Sequence, residues 1–359
     1  TDESETRGTR GAYLVSDHVS LPPGGRHEWF GVAVTGLDHA AVVVLAHELE
    51  ASDDDLRATI EAALESDRAA VGRRLAAADA AQTSADEAAT ANHVANVLFN
   101  IMRGGTFEND YRAPRRDLIS YLQDQNKLVA ARHADWLERL PESLDVGEVL
   151  RSGQEQGDPQ LERLLRAYLP LTFSRRHGDP SRPWNWYTIR VHEGDELVYG
   201  YEGNWRDIFQ NWEALGISYP GYLPRFVTVF LNASTADGYN PYRITRKGID
   251  WEVEDPDDPW SHIGYWGDHQ IIYLLKLLEA WQRHEPGALQ AGLGERLYSY
   301  ADVPYRIADF AAIVADPKDT ITFDHQRHER LLQRARELGA DGRLVRDASG
   351  EVRLVTLAE

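Results

Sequence analysis

Between Asp117 and Leu140 the residues Leu118, Tyr121, Leu122, Leu128, Ala131 and Leu137 recur at helical spacing, and Pro141 closes the run. This is the strongest amphipathic pattern in the chain and predicts one long helix. Upstream, Ser52 followed by Asp53, Asp54 and Asp55 supplies a cap and first-turn acids for an Ala-rich helix reaching about Ala81. A second helix is expected from Thr83 to Met102, with Val94, Val97, Leu98 and Ile101 on one face, stopped by Arg103-Gly104-Gly105. Further helices are predicted over Asp158–Tyr168, Asp207–Leu215, Gly221–Asn232, His269–Arg283, Val303–Val314 and Phe323–Leu338. The pattern before Leu49 differs. Ala12–Val15, Trp29–Val34 and Ala40–Leu45 are short apolar runs, with Pro22-Pro23-Gly24-Gly25 as a turn, and they read as strands. Leu144–Val149 fits neither period, Asp237–Pro259 reads as a long loop of the kind that is usually functional, and the tail from Gly342 to Val355 reads as a hairpin turning at Asp347–Gly350.

Helix pairs joined by elaborate loops describe an (α/α) toroid, so the fold class expected is mainly α. Residues 1–50 form a β-strand segment ending a sandwich-like domain, 51–82 a linker helix, and 83–359 a toroidal catalytic-type domain. The predicted helices after Gln82 are too few to close a six-hairpin ring, so the toroid is expected to be partial. The chain starts at Thr1 without an initiator Met, which fits a processed or excised piece.

Charge narrows the partners. With 58 Asp plus Glu against 38 Lys plus Arg, the net charge is -20, and no Lys/Arg block interrupts it, which argues against phosphate backbones and anionic membranes. No apolar run approaches the roughly 20 residues of a membrane span. The chain has no cysteine, which removes disulfides, thiolate metal sites and a Cys nucleophile, and fits a cytoplasmic protein.

Eight of the ten tryptophans lie between Trp184 and Trp281. Within that stretch, Asn204-Trp205-Arg206-Asp207-Ile208-Phe209-Gln210-Asn211 and Tyr265-Trp266-Gly267-Asp268-His269 set aromatic rings among carboxylates, Arg and amides. A pyranose has apolar C–H faces and a hydroxyl rim, so this mixture suits a sugar cleft. Glycosidic cleavage needs a carboxylic acid to protonate the leaving oxygen, and Asp268 beside Trp266 is the candidate. Asp268 is equally suited to cap the helix that follows it. Arg206 and Asp207 form either a sugar clamp or an ion pair at a helix start, and Gln210 and Asn211 either reach the same end of the cleft or are buried amides. No metal is assigned: Glu252–Asp258 lacks the central glycine of a calcium loop, and His177, His192, His262 and His269 have no ligand spacing. Neither a P-loop nor a G-x-S-x-G elbow occurs.

At these residues the chain resembles the cellobiose and chitobiose phosphorylase family. Asn204-Trp205-Arg206-Asp207-Ile208-Phe209-Gln210-Asn211 is similar to its Gly-Phe-Arg-Asp-Ser-Asn-Gln-Asp segment, and Trp266-Gly267-Asp268-His269 to its Trp-Asn-Asp-Asp segment. Asp237-Gly238-Tyr239 and Val303-Pro304-Tyr305 fall where the family has an Asp-Gly plus Tyr element and a Val-Pro-aromatic element. The resemblance implies a β-sandwich, linker helices and an α/α six-hairpin barrel. It implies Asp268 as general acid with Trp266 beside it, and Arg206 and Asp207 holding the sugar of an oligosaccharide or disaccharide. Inorganic phosphate as co-substrate, with no other cofactor, would attack the anomeric carbon with inversion. Two departures stand out: Asn211 replaces the family's final Asp, and His269 its second acid. The family's phosphate-binding residues lie in later loops, so another polypeptide or a missing C-terminal segment would complete the barrel. Two further readings remain open. One is an inverting glycoside hydrolase using a second carboxylate (Asp207, Glu213 or Asp237) about 6.5–9.5 Å from Asp268. The other is a noncatalytic sugar-binding or assembly subunit.

Overall fold

The computed structural model describes residues 16–34, 37–50, 52–78, 80–172, 175–176, 188–189, 192–193, 196–240, 243–251, 253, 270–317 and 320–359. The chain divides into two compact units, Thr1–Ser66 and Asp67–Glu359. It is mainly helical, with short strands in two- and three-stranded pairings.

In the first unit α1 spans His39–Glu48, and Asp38 caps it by accepting from Ala41 N at 2.8 Å. This corrects the strand expected over Ala40–Leu45. A side-chain cap fixes the first turn, and none of the α1 side chains is buried, so the Val-rich run carries no packing signal for either structure. The predicted strand Trp29–Val34 is unpaired and exposed, and Ala12–Val15 lies outside the described residues. Glu28 is gripped by Arg26 and Arg57, and the Arg57 guanidinium lies 5.4 Å from the Phe30 ring centroid. Helix α2, Asp53–Ala77, starts on the acids that favour a helix N-terminus, and the boundary between the units falls within it.

The second unit continues with α3 (Glu87–Gly104), β1 (Arg112–Pro114), α4 (Arg115–Gln125), α5 (Lys127–Arg132), α6 (Ala134–Arg139), β2 (Ser143–Asp145), α7 (Val146–Gln154) and α8 (Pro159–Ala167). The single helix expected over Asp117–Leu140 is therefore three. Asn126 leaves the helical region (φ -153°, ψ 100°), and its Oδ1 accepts from Leu128 N and Val129 N, restarting the helix one residue on. The same side chain donates to Asp341 Oδ2 at 2.7 Å, so the break is held by a tertiary contact. Strands β1 and β2 pair antiparallel with Ala113 opposite Leu144, both buried, which resolves the stretch that fitted neither period.

Two-residue pairs follow: β3 (Arg175–Arg176) with β4 (Thr188–Ile189), and β5 (His192–Glu193) with β6 (Glu196–Leu197). Then come β7 (Glu202–Asn204), α9 (Trp205–Ser218), α10 (Leu223–Asn232), β8 (Arg243–Thr245) and β9 (Gly248–Asp250), with β7, β8 and β9 forming one antiparallel sheet. The predicted loop after Asp237 thus contains a hairpin, and residues 254–269 lie outside the described residues. Helix α11 is Gln270–His284 and α12 Ala288–Gly292. Strand β10 (Arg296–Tyr298) precedes β11 (Tyr305–Ile307), α13 (Phe310–Ala315), β12 (Ile321–Phe323), α14 (His325–Leu338) and β13 (Val355–Thr356). The helix expected over Val303–Val314 is replaced by β11, paired to β12, and the six-residue α13 capped by Asp309. At the tail, Arg353 N donates to Val345 O and Asp347 N to Glu351 O, closing the predicted hairpin.

One hydrophobic core joins these helices. Phe107 stacks on Tyr222 at 3.7 Å, Trp212 on Phe226 at 4.9 Å, and Trp205 meets Phe230 edge-on, all with side chains out of water. Two glycines let backbones meet. A Cβ at Gly339 (φ 98°) would lie 2.6 Å from Asp124 O, and one at Gly342 would lie 2.4 Å from backbone atoms of Arg334 and Ala335.

Candidate functional site

The first acidic-aromatic segment builds α9. Trp205, Ile208, Phe209, Trp212 and Leu215 follow a helical face, and all are buried. Trp205 and Trp212 expose 2% and 0% of their surface, and Trp251 and Trp281 6% each, so none of the four offers a face to a sugar. Their ring nitrogens point to internal partners where a hydrogen bond is made: Trp212 to Gly104 O, Trp251 to His328 Nδ1, Trp281 to Glu285 Oε2. The aromatic-cleft expectation is corrected for these four, whose bulk fills the core. Trp184, Trp186, Trp260 and Trp266 lie outside the described residues.

Arg206 and Asp207 occupy the first turn of α9, and their side chains lie outside the described set. Gln210 is exposed whereas Asn211 is buried, packed where α9 meets α3 against Gly104. The two amides therefore do not share one end of a cleft. One residue of helix rotates the side chain by roughly 100°, which is enough to send neighbours to opposite environments. Glu213 pairs with Lys276 at 2.9 Å.

Asp237-Gly238-Tyr239 forms a tight turn. Gly238 has φ 80°, Gly238 N donates to Thr235 O, and Thr235 N donates to Tyr239 O at 2.8 Å. Asp237 is exposed and accepts from the Thr235 hydroxyl, while the Tyr239 ring is buried edge-on against Tyr305, with centroids 5.6 Å apart. The two elements singled out by the resemblance, Asp237-Gly238-Tyr239 and Val303-Pro304-Tyr305, are thus in contact. Asp268, Trp266 and His269 lie outside the described residues.

A buried polar system absent from the sequence reading joins α4 and α8 to the later chain. Asp117 accepts from Tyr168 Oη at 2.6 Å and pairs with Arg246 at 2.7 Å, and Arg246 also donates to Tyr199 O and Asp117 O. Burial disfavours the charged guanidinium, but the Asp117 charge outweighs it and holds Arg246 above its ordinary value. Desolvation raises the phenol of Tyr168, with Asp117 adding to the effect, so the tyrosine stays a proton donor. Beyond it, Asp341 takes Arg163 and Asn126 on Oδ2, while its Oδ1 has no donor among the described residues. A cavity of about 50 Å³ lies here, lined by Tyr121, Gln125, Arg163, Tyr201, Thr245 and Asp341 among others. That volume suits water, which can donate to Asp341 Oδ1, and is far below the roughly 300 Å³ at which small-molecule pockets begin. These residues lacked a local signature, because their partners lie from 47 to 215 positions away in the chain.

Residues 107–170 match glycoside hydrolase family 149 insertion domain 1, a domain of a carbohydrate-active, glycoside phosphorylase-type family. The match covers β1 to α8, the part of the chain that carries Asp117, Asn126 and Arg163. It supports a relationship to that family and not to the cellobiose phosphorylase-like family specifically. No curated protein matches the chain. Among the described residues, no helix is long and apolar enough to cross a membrane, and no cluster of His, Asp and Glu is placed to hold a metal ion.

Proposed function

We propose that the chain is part of a glycoside phosphorylase acting on an oligosaccharide or disaccharide in the cytoplasm. The observation that carries the reading is the match of residues 107–170 to a family 149 insertion domain. The family resemblance of the two acidic-aromatic segments, found at separate residues, supports it independently. In the proposed reaction Asp268 protonates the leaving glycosidic oxygen, and inorganic phosphate attacks the anomeric carbon from the opposite face, giving an inverted sugar 1-phosphate. Trp266 shields Asp268 from water and keeps it protonated. Arg206 and Asp207 hold the sugar hydroxyls, and the Asp237–Tyr239 turn borders the same subsite. The described helices belong, on this reading, to an α/α toroid that a further segment or second polypeptide completes.

The experiment is incubation of the chain, alone and with any completing polypeptide, with β-linked and α-linked disaccharides and glucans, with and without phosphate. Phosphate-dependent release of a sugar 1-phosphate, lost by at least a hundredfold in Asp268→Asn, is expected. Release of free sugar without phosphate would instead identify an inverting hydrolase. The absence of turnover in both settings would leave a sugar-binding role and overturn the enzymatic one.

A further inference from the structure

On a chain of net charge -20, one face reverses the sign. An open groove of about 640 Å³ runs along α14 and is lined by Arg327, Arg330, Arg334 and Arg336, with Asp302 and Glu329 as its carboxylates. Among the lining residues, four guanidiniums face two carboxylates, an excess of two, and the nearby Asp324, which acts on Arg330, is ion-paired with Arg306. Arg327, Arg330 and Arg334 share a helix face by their spacing of three and four residues. Asp302 fixes the outer two, accepting from Arg327 Nε at 2.7 Å on Oδ1 and from Arg334 Nη2 at 2.6 Å on Oδ2. Asp302 is itself anchored through its amide to Arg343 O at 2.8 Å. Arg330 stands between this braced pair, and neither it nor Arg336 has a carboxylate within ion-pairing distance among the described residues. Behind the groove, Arg334 Nε is a buried donor with no acceptor among the described residues.

We propose that this groove is a binding site for a doubly charged phosphate group, either free phosphate or the phosphate ester of a small molecule. A phosphate monoester carries close to two negative charges at neutral pH, matching the local excess, and its oxygens fit the planar donor forks of arginine. A carboxylate would neutralise half of that excess. Asp302 pre-orders two of the four guanidiniums, so less side-chain freedom is lost when the anion arrives. The site is independent of whether Asp268 cleaves glycosidic bonds, because it is built from α14 and the segment before β11.

The test is calorimetric titration of the whole chain with inorganic phosphate and, separately, with a hexose 6-phosphate, at constant ionic strength set with chloride and with no glycoside present. Saturable binding is expected, with the dissociation constant raised at least tenfold in the double variant Arg330→Gln/Arg336→Gln and unchanged in Lys276→Gln on α11. Both replaced arginines are exposed, and an unaltered circular dichroism spectrum and melting temperature would show that the fold persists. Tighter binding of the ester would assign the site to a phosphorylated metabolite, and equal or weaker binding to the free ion. Binding that the double variant leaves unchanged, or heats no larger than those of chloride alone, would overturn the proposal.

Discussion

At the scale of single residues, Asp158 shows how much one carboxylate does in the segment that matches the insertion domain. It caps α8 through Gln160 N at 2.9 Å, receives Arg132 Nη1 at 2.7 Å, and lies 2.8 Å from His133 Nε2. Burial pushes its pKa upward, but hydrogen bonds from His133 and Arg132, with the Gln160 amide, more than reverse this and leave it below the ordinary Asp value. A folded pKa below the unfolded one of about 3.9 means that the stabilisation is complete above that pH and is lost as pH falls through the folded value. Asp158→Asn keeps the cap acceptor and removes the charge. It is expected to cost about 1 kcal/mol at pH 7, with the gap to the unsubstituted chain closing as pH falls below about 4. Urea unfolding at several pH values measures this, and the absence of a gap at pH 7 would show that Asp158 acts only as a cap.

At the scale of elements, Asn126 decides where a helix stops, and it does so through a residue 215 positions away. Asn126→Ala removes the cap of α5 and the donor to Asp341 together, and is expected to destabilise the second unit by about 2 kcal/mol. Asn126→Ser retains a cap acceptor too short to reach Asp341, and is expected to lose about half of that. Chemical denaturation of both variants separates the two contributions, and an Asn126→Ser variant as stable as the unsubstituted chain would mean that the tertiary bond contributes nothing. The same residue marks the limit of reading the chain locally. Helices whose buried face repeats over several turns, α8, α9 and α10, are legible from periodicity, because that face is what buries them, whereas on α11 the expected face is displaced, with Ile272 and Leu275 exposed and Leu277 and Trp281 buried. The break at Asn126 is not, since an apolar stripe continues across it and the reason for the break lies on another element. Helix α1 is not legible either, because valines favour strands where they pack, and no residue of α1 is buried. In the site, the Asp-Gly-Tyr element is visible in the sequence as a motif, but its contact with Tyr305 is not, because the two lie 66 positions apart on separate elements. Burial of Trp205 and Trp212 is equally invisible, because a tryptophan suits a core as well as a sugar platform, and local sequence does not distinguish the two.

At the scale of the whole molecule, the matched segment is built into the larger unit's core and is pinned there by polar groups. Arg225 on α10 is buried and donates to Val146, Leu165 and Tyr168 carbonyls, closing the C-terminal end of α8, and Gln160 Nε2 reaches Val352 O at 2.8 Å. The Asp117–Arg246 pair is the strongest of these pins, because both groups are out of water and each also holds a neighbour: Tyr168 for Asp117, Tyr199 O for Arg246. Removing one member of a buried pair strands the other charge at a cost of about 3 kcal/mol or more, whereas removing both strands neither. Asp117→Asn and Arg246→Gln are each expected to lose about that much, and the double variant little more than either alone, a coupling of at least about 2 kcal/mol. The slope of the urea transition carries a second piece of information, since it scales with the surface exposed on unfolding. If residues 107–170 share the core cooperatively, the slope stays constant across all three variants. A shallower slope in Arg246→Gln, with part of the signal lost in an earlier transition, would mean that the segment folds as a separate unit and that the pin only docks it.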